Sequence, residues 1–155
     1  MRPANLLPAA MATLALFLAC NRPQTADPLA EARQAITASN AIYFKSFANN
    51  DSSIFLDRYA ADCRIMAPNS APFIGREGAE TFFRVAYDKF GLRNGRFIIT
   101  DIYGDGKEYV TEEGVWQSFD RDGKLFDNGK CLVLWKKTSE GWKMFRDSFS
   151  SDREQ

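Results

Sequence analysis

Residues 127–152 read DNGKCLVLWKKTSEGWKMFRDSFSSD. Two runs rich in aromatic and aliphatic residues, Lys130 to Lys137 and Trp142 to Ser150, flank the polar segment Thr138-Ser139-Glu140-Gly141. That arrangement predicts an antiparallel hairpin. Alternation along its second arm puts Asp147 on the side of Phe145 and Phe149, with Trp142, Met144 and Arg146 opposite. A carboxylate set among rings must find a hydrogen-bond donor or have its pKa raised by desolvation, so Asp147 is the first candidate for chemistry.

Working back from the hairpin, Arg96 to Tyr103, Glu108 to Phe119 and Lys124 to Lys137 read as strands, joined by Gly104-Asp105-Gly106 and Asp122-Gly123 turns. Before them the period changes. Ala79, Phe82, Phe83, Ala86, Tyr87 and Phe90 recur at helical spacing until Gly91 stops the run. A long first helix opens at Asp27-Pro28, carries Ala32, Ile36, Tyr43 and Phe47 on one face, and ends at Asn49-Asn50. Asp51-Ser52-Ser53 caps a brief second helix through Tyr59, and Cys63 to Ala67 is extended up to Pro68. Helices followed by a meander of strands predict an α+β domain over residues 28–150.

The chain has 155 residues, enough for one ordinary domain. Its 20 basic and 20 acidic side chains are scattered, which leaves no basic stripe for a phosphate backbone and argues against a nucleic-acid partner. Histidine is absent, and its absence excludes histidine general bases, Ser-His-Asp and Cys-His nucleophiles and histidine-ligated zinc. Neither a phosphate-binding loop nor a dinucleotide fingerprint occurs, so no cofactor or metal is expected. Cys63 and Cys131 could pair in an oxidising compartment; two buried thiols is the favoured reading.

Residues 1–19 carry Arg2 and then an apolar run from Met11 to Ala19, too short to span a bilayer, and read as an export signal. Phe17-Leu18-Ala19-Cys20 resembles the lipobox of bacterial lipoproteins. The resemblance implies lipidation of Cys20, a tether over residues 20–27, attachment to a membrane through that cysteine, and a bacterial envelope location, on the periplasmic face in a Gram-negative cell.

The order Gly129-Lys130, Trp135, Gly141-Trp142-Lys143 and Arg146-Asp147 resembles the closing hairpin of SnoaL-like and ketosteroid-isomerase-like proteins of the nuclear transport factor 2-like superfamily. The resemblance implies three N-terminal helices packed on a strongly curved antiparallel sheet, a cone with a pocket between helices and sheet. It places Tyr43 at the position of the isomerases' catalytic tyrosine. Where their base stands this chain has Ala67, and where their assisting acid stands it has Leu132 or Val133, so steroid isomerisation by the usual route is not expected.

The function expected is therefore a lipid-anchored domain that binds a small, largely apolar molecule. Asp147 and Tyr43 are its candidate acid-base pair, and Met66, Phe82, Glu113, Trp116 and Trp135 its candidate lining. If it is an enzyme, an isomerase, cyclase or hydro-lyase fits that pair. The alternative is a non-catalytic module that forms a homodimer through its sheet, with Trp142 and Met144 on one face of the last strand and Phe145 and Phe149 on the other. Which face of the sheet lines the pocket is open at this point, and with it the choice between the sides of Glu113 and Trp116.

Overall fold

A computed structural model of the protein describes residues 27–153. The signal segment, Cys20 and nearly all of the tether lie outside the described residues. Three helices, α1 (Ala30–Asn49), α2 (Ser52–Leu56) and α3 (Gly75–Arg84), pack on a curved sheet of six strands: β1 (Tyr59–Met66), β2 (Phe73–Ile74), β3 (Asn94–Gly104), β4 (Tyr109–Phe119), β5 (Leu125–Thr138) and β6 (Gly141–Phe149). The sheet runs β2-β1-β6-β5-β4-β3. It is antiparallel except where β1 lies parallel to β6, so the closing hairpin sits at the centre of the sheet.

Local chemistry sets these elements. Asp51 caps α2 by accepting from the Ser53 backbone N–H, and α1 ends where Asn50 adopts a left-handed conformation at φ 53°. Along α1 the buried face is Ala32, Ile36, Ser39, Tyr43, Phe44, Ser46 and Phe47, a stripe of helical period. Ser46 belongs there because its hydroxyl donates 2.6 Å back to the Tyr43 carbonyl, which removes the cost of burying it. The helix lies lengthwise on the sheet: Arg33 donates to the Ile102 carbonyl at one end, and the Phe44 ring crosses Gly95 at the other. A side chain at position 95 would strike that ring, so the backbone of β3 approaches α1 only because it carries glycine there.

Two departures from regularity matter for the site. Beyond Arg84 the third helix widens into a π-helical turn, Val85–Lys89, in which the Phe90 N–H reaches the Val85 carbonyl at 3.3 Å. Strict helical spacing would bury Phe90 with Ala79, Phe83 and Ala86; the extra residue in the turn rotates it out, and Phe90 is 68% exposed. The second departure is a bulge in the closing hairpin. Leu134 pairs with Arg146 but Trp135 pairs with Met144, so Phe145 is the extra residue.

That bulge corrects the alternation expected for β6. Trp142, Met144 and Asp147 are all buried on the helix side. Of the large apolar residues of β6, Phe145 alone faces outward, packed against Tyr109 with the Arg146 guanidinium 3.5 Å above its ring. Phe149 returns to the inner side against Trp116 and Phe82. The two faces of β6 are therefore not both apolar, and the argument for sheet-to-sheet pairing from this strand falls away.

Candidate functional site

Between α1, the α3 turn and the inner face of β4, β5 and β6 lies a cavity of about 520 Å³, a size usual for small-molecule sites. Nine aromatic rings line it: Tyr43, Phe44, Phe73, Phe82, Phe90, Phe97, Trp116, Phe126 and Phe149. Its floor is formed by buried residues, Tyr43, Ala86, Cys131 and Asp147, and its rim by exposed ones, Asn69, Ser70, Phe90 and Arg153. The curvature of the sheet holds this space open, and extra residues in β3, β5 and β6 add to that curvature.

At the floor, the Tyr59 hydroxyl donates 2.6 Å to Asp147 Oδ2, and the Tyr43 and Tyr59 hydroxyls stand 3.4 Å apart. The chain of groups runs from α1 through β1 to β6. Asp147 Oδ1 has no hydrogen-bond partner among the described residues and belongs to the cavity wall. Burial raises the Asp147 carboxyl to about 6, and the bond from Tyr59 pulls the other way. Both phenols are pushed well above their ordinary value by burial and then by the neighbouring carboxylate, so they remain protonated and act as donors. Asp147 is thus the group in the cavity that changes charge near neutral pH.

A second buried acid stands outside the cavity. Glu112 on β4 is 1% exposed, accepts 2.6 Å from the Asn40 amide and 2.9 Å from the Trp135 indole, and is raised by burial to about 7. Glu112, Val133 and Asp147 occupy one row across β4, β5 and β6 on the inner face. Asn40 and Tyr43, one turn apart on α1, thus meet the two acids of that row, Asn40 directly and Tyr43 through Tyr59.

No protein-family model matches the chain, and no curated protein matches it by sequence. Solved structures do. An NTF-2 like protein of unknown function from Shewanella oneidensis MR-1 superposes with a TM-score of 0.65 at 16% identity, over 77% of this chain and 98% of that one. A ketosteroid isomerase-like protein from Erwinia carotovora atroseptica SCRI1043 gives 0.63 at 19% identity, over 81% and 99%. The fold is nuclear transport factor 2-like. A protein of unknown function with a cystatin-like fold from Nostoc punctiforme PCC 73102 gives 0.67 at 16% identity, over 79% and 92%. Likeness at these identities is one of fold, and the chemistry of a nuclear transport factor 2-like cavity has to be read from its own residues.

Of the side chains picked out by sequence, Tyr43, Phe82, Trp116 and Asp147 meet in the cavity. The other three do not line it. Glu113 points outward and is exposed, because the inner face of β4 carries Val110, Glu112, Gly114, Trp116 and Ser118. Trp135 is on the correct face but fully buried beyond the floor, bonded to Glu112. Met66 lies beside the cavity, which takes Ala67 and Pro68 from that segment instead. Trp116 is fixed in the wall by its indole N–H, 3.0 Å from the Ser150 carbonyl.

Tyr59 is the residue that the sequence reading missed. Its spacing from Ile54, Phe55 and Leu56 places it in the second helix, whereas α2 stops at Leu56 and Tyr59 opens β1. Its role depends on a partner 88 positions away, and no local signal carries that. Cys63 and Cys131 are free and buried, and burial raises both thiols, to about 11 and about 12, far from a reactive state.

Proposed function

We propose that this domain binds a small, largely apolar molecule in the aromatic cavity, with the ligand's one polar end against Asp147 and the Tyr43 hydroxyl. The observation that carries the reading is the open carboxylate oxygen at the floor of a cavity with nine aromatic rings in its walls. An apolar body gains by leaving water for such walls, and its polar end finds a charged partner at that floor. Proton transfer is the chemistry this floor suits. A carboxyl near about 6 exchanges a proton readily at neutral pH, and Tyr43 can donate to an oxygen on the ligand without giving up its own proton.

A thermal-shift panel of hydrophobic compounds tests the reading, since a ligand that binds only the folded state must raise the Tm. At least one compound should raise it, and Asp147→Asn should weaken that compound at least tenfold. Equal affinity in Asp147→Asn would remove the floor from the account. We further propose that a lipid on Cys20 holds the domain at the bacterial envelope, as the Phe17-Leu18-Ala19-Cys20 motif suggests. Cells grown with radiolabelled palmitate should label the wild type and not Cys20→Ser; label retained in the variant would refute the anchor.

A further inference from the structure

The charges around the cavity narrow the class of ligand beyond what the proposed function states, and the following rests on that reading. Two acids and one base are found in the lining: Asp127, Asp147 and Arg153. Asp127 and Arg153 lie at the rim. Asp127 Oδ1 is already engaged, accepting 2.8 Å from the Asn128 backbone N–H and 2.8 Å from the Ser151 hydroxyl. Arg153 is exposed, in water of high dielectric, and shares the rim with the opposite charge of Asp127. The floor holds Asp147 alone, 8% exposed, with Oδ1 open to the cavity.

Among the described residues, no lysine or arginine reaches that floor. Arg146, the nearest cation in sequence, turns to the outer face and donates to the Asp62 and Phe145 carbonyls. The groups that do face Asp147 are the Tyr59 hydroxyl from β1, the Tyr43 hydroxyl from α1 behind it, and the Cys63 and Cys131 thiols from β1 and β5. Glu112 lies beyond Val133 in the same row. All of these are neutral or acidic. A ligand carboxylate placed at the floor would meet only negative charge, whereas a positive charge would find its counter-ion there.

The walls favour the same sign. Ring faces carry negative electrostatic potential and attract cations, more strongly where water is excluded. Phe149, two residues along β6 from Asp147, stands 5.5 Å from the Trp116 ring and 6.0 Å from the Phe82 ring. A cation paired with Asp147 would sit beside this group of rings.

From this geometry we infer that the ligand is a hydrophobic amine, bound as its ammonium ion, with its hydrocarbon or aromatic body along the rings and its nitrogen donating to Asp147 Oδ1. An ammonium has the donors that the open oxygen lacks, and it neutralises the one buried charge in the cavity. The Tyr59 bond to Oδ2 then positions the carboxylate for it.

Three probes of equal shape separate this inference from its alternatives: 1-naphthylmethylamine, 1-naphthalenemethanol and 1-naphthoic acid, titrated calorimetrically into the purified protein at pH 8 and pH 5. The amine should bind at least tenfold tighter than the alcohol at pH 8, and the acid should bind weakest. Protonation of Asp147 near about 6 removes the counter-ion as pH falls, so the preference for the amine should shrink about tenfold at pH 5 while the alcohol is unchanged. Asp147→Asn, which keeps an acceptor for Tyr59, should abolish the preference at both pH values. Tyr59→Phe should reduce it without removing it. Alcohol equal to or better than amine at pH 8, or tightest binding by the acid, would overturn the amine assignment while leaving the cavity a binding site. Failure of all three to bind would overturn both this inference and the proposed function.

Discussion

Raising the pH from 5 to 8 should destabilise this protein by on the order of 4 kcal/mol, the reverse of the usual behaviour of acid-sensitive domains. The cause is the pair of buried acids. Burial raises Glu112 from 4.5 to about 7 and Asp147 from 3.8 to about 6. Between roughly pH 4 and pH 7 the folded state therefore holds protons that the unfolded chain has released. Stability from these two groups is fully present below their unfolded values, and it is lost as pH rises through the folded ones. A domain of this length loses roughly 10 °C in Tm for such a change. Calorimetric scans between pH 5 and pH 8 would show it, and a Tm that stays level or climbs would contradict the burial of these acids.

Glu112→Gln should remove roughly two thirds of that dependence and stabilise the protein at pH 8. A glutamine keeps an oxygen for the Trp135 indole. Its N–H can also serve Asn40 Oδ1, which is buried and without a partner among the described residues, once the asparagine amide turns over. Combined with Asp147→Asn, the profile should be nearly flat.

Phe47→Ala should cost about 3–5 kcal/mol, near the upper end for a single core truncation. Phe47 is fully buried where the three helices meet: its ring stacks on Phe83 at 4.8 Å, meets Phe55 edge-on at 5.6 Å and lies 5.9 Å from Tyr43. Removing it opens space behind Tyr43, so the floor of the cavity should loosen together with the core. Urea unfolding measures the loss. Phe47→Leu should recover most of it, and a loss below about 1 kcal/mol for alanine would mean that the helices are not joined through this ring.

The elements legible in the sequence are those whose signal is local. The stripe Ala32, Ile36, Tyr43 and Phe47, the run Ala79 to Ala86 and the hairpin around Thr138–Gly141 each declare their period within about twenty residues, and each forms where expected. Asp147 was legible only in part: Phe149 does share its inner face, whereas Phe145, assigned to the same face by alternation, turns outward at the bulge. What could not be read depended on partners far along the chain or on one added residue. Tyr59 has its function from Asp147, and β2 exists only as a two-residue pairing with Arg64 and Ile65. The bulge at Phe145 and the π-helical turn before Phe90 each reverse a facing that strict alternation assigns. Glu112 and Glu113 are adjacent and chemically alike, and only the docking of α1 through Asn40 decides that the first is inside.

The floor also explains why the isomerase pattern fails in an instructive way. Val133, at the position expected for an assisting acid, does face inward, and the acid stands beside it in the next strand as Asp147. A carboxyl and a phenol are thus both present near the floor, joined through Tyr59, in an arrangement that leaves one carboxylate oxygen without a hydrogen-bond partner among the described residues.

Titration of the purified protein with 1-aminoanthracene, whose fluorescence rises in apolar surroundings, tests the cavity most directly when wild type is set beside Ser118→Trp. Ser118 lines the cavity from the inner face of β4, so an indole at that position would fill the space from the wall. Saturable binding of one dye per wild-type chain and its loss in the filled variant are expected, with both proteins folded by circular dichroism. A wild type that leaves the dye dark, or a filled variant that binds it as well as wild type does, would contradict the cavity as a binding site.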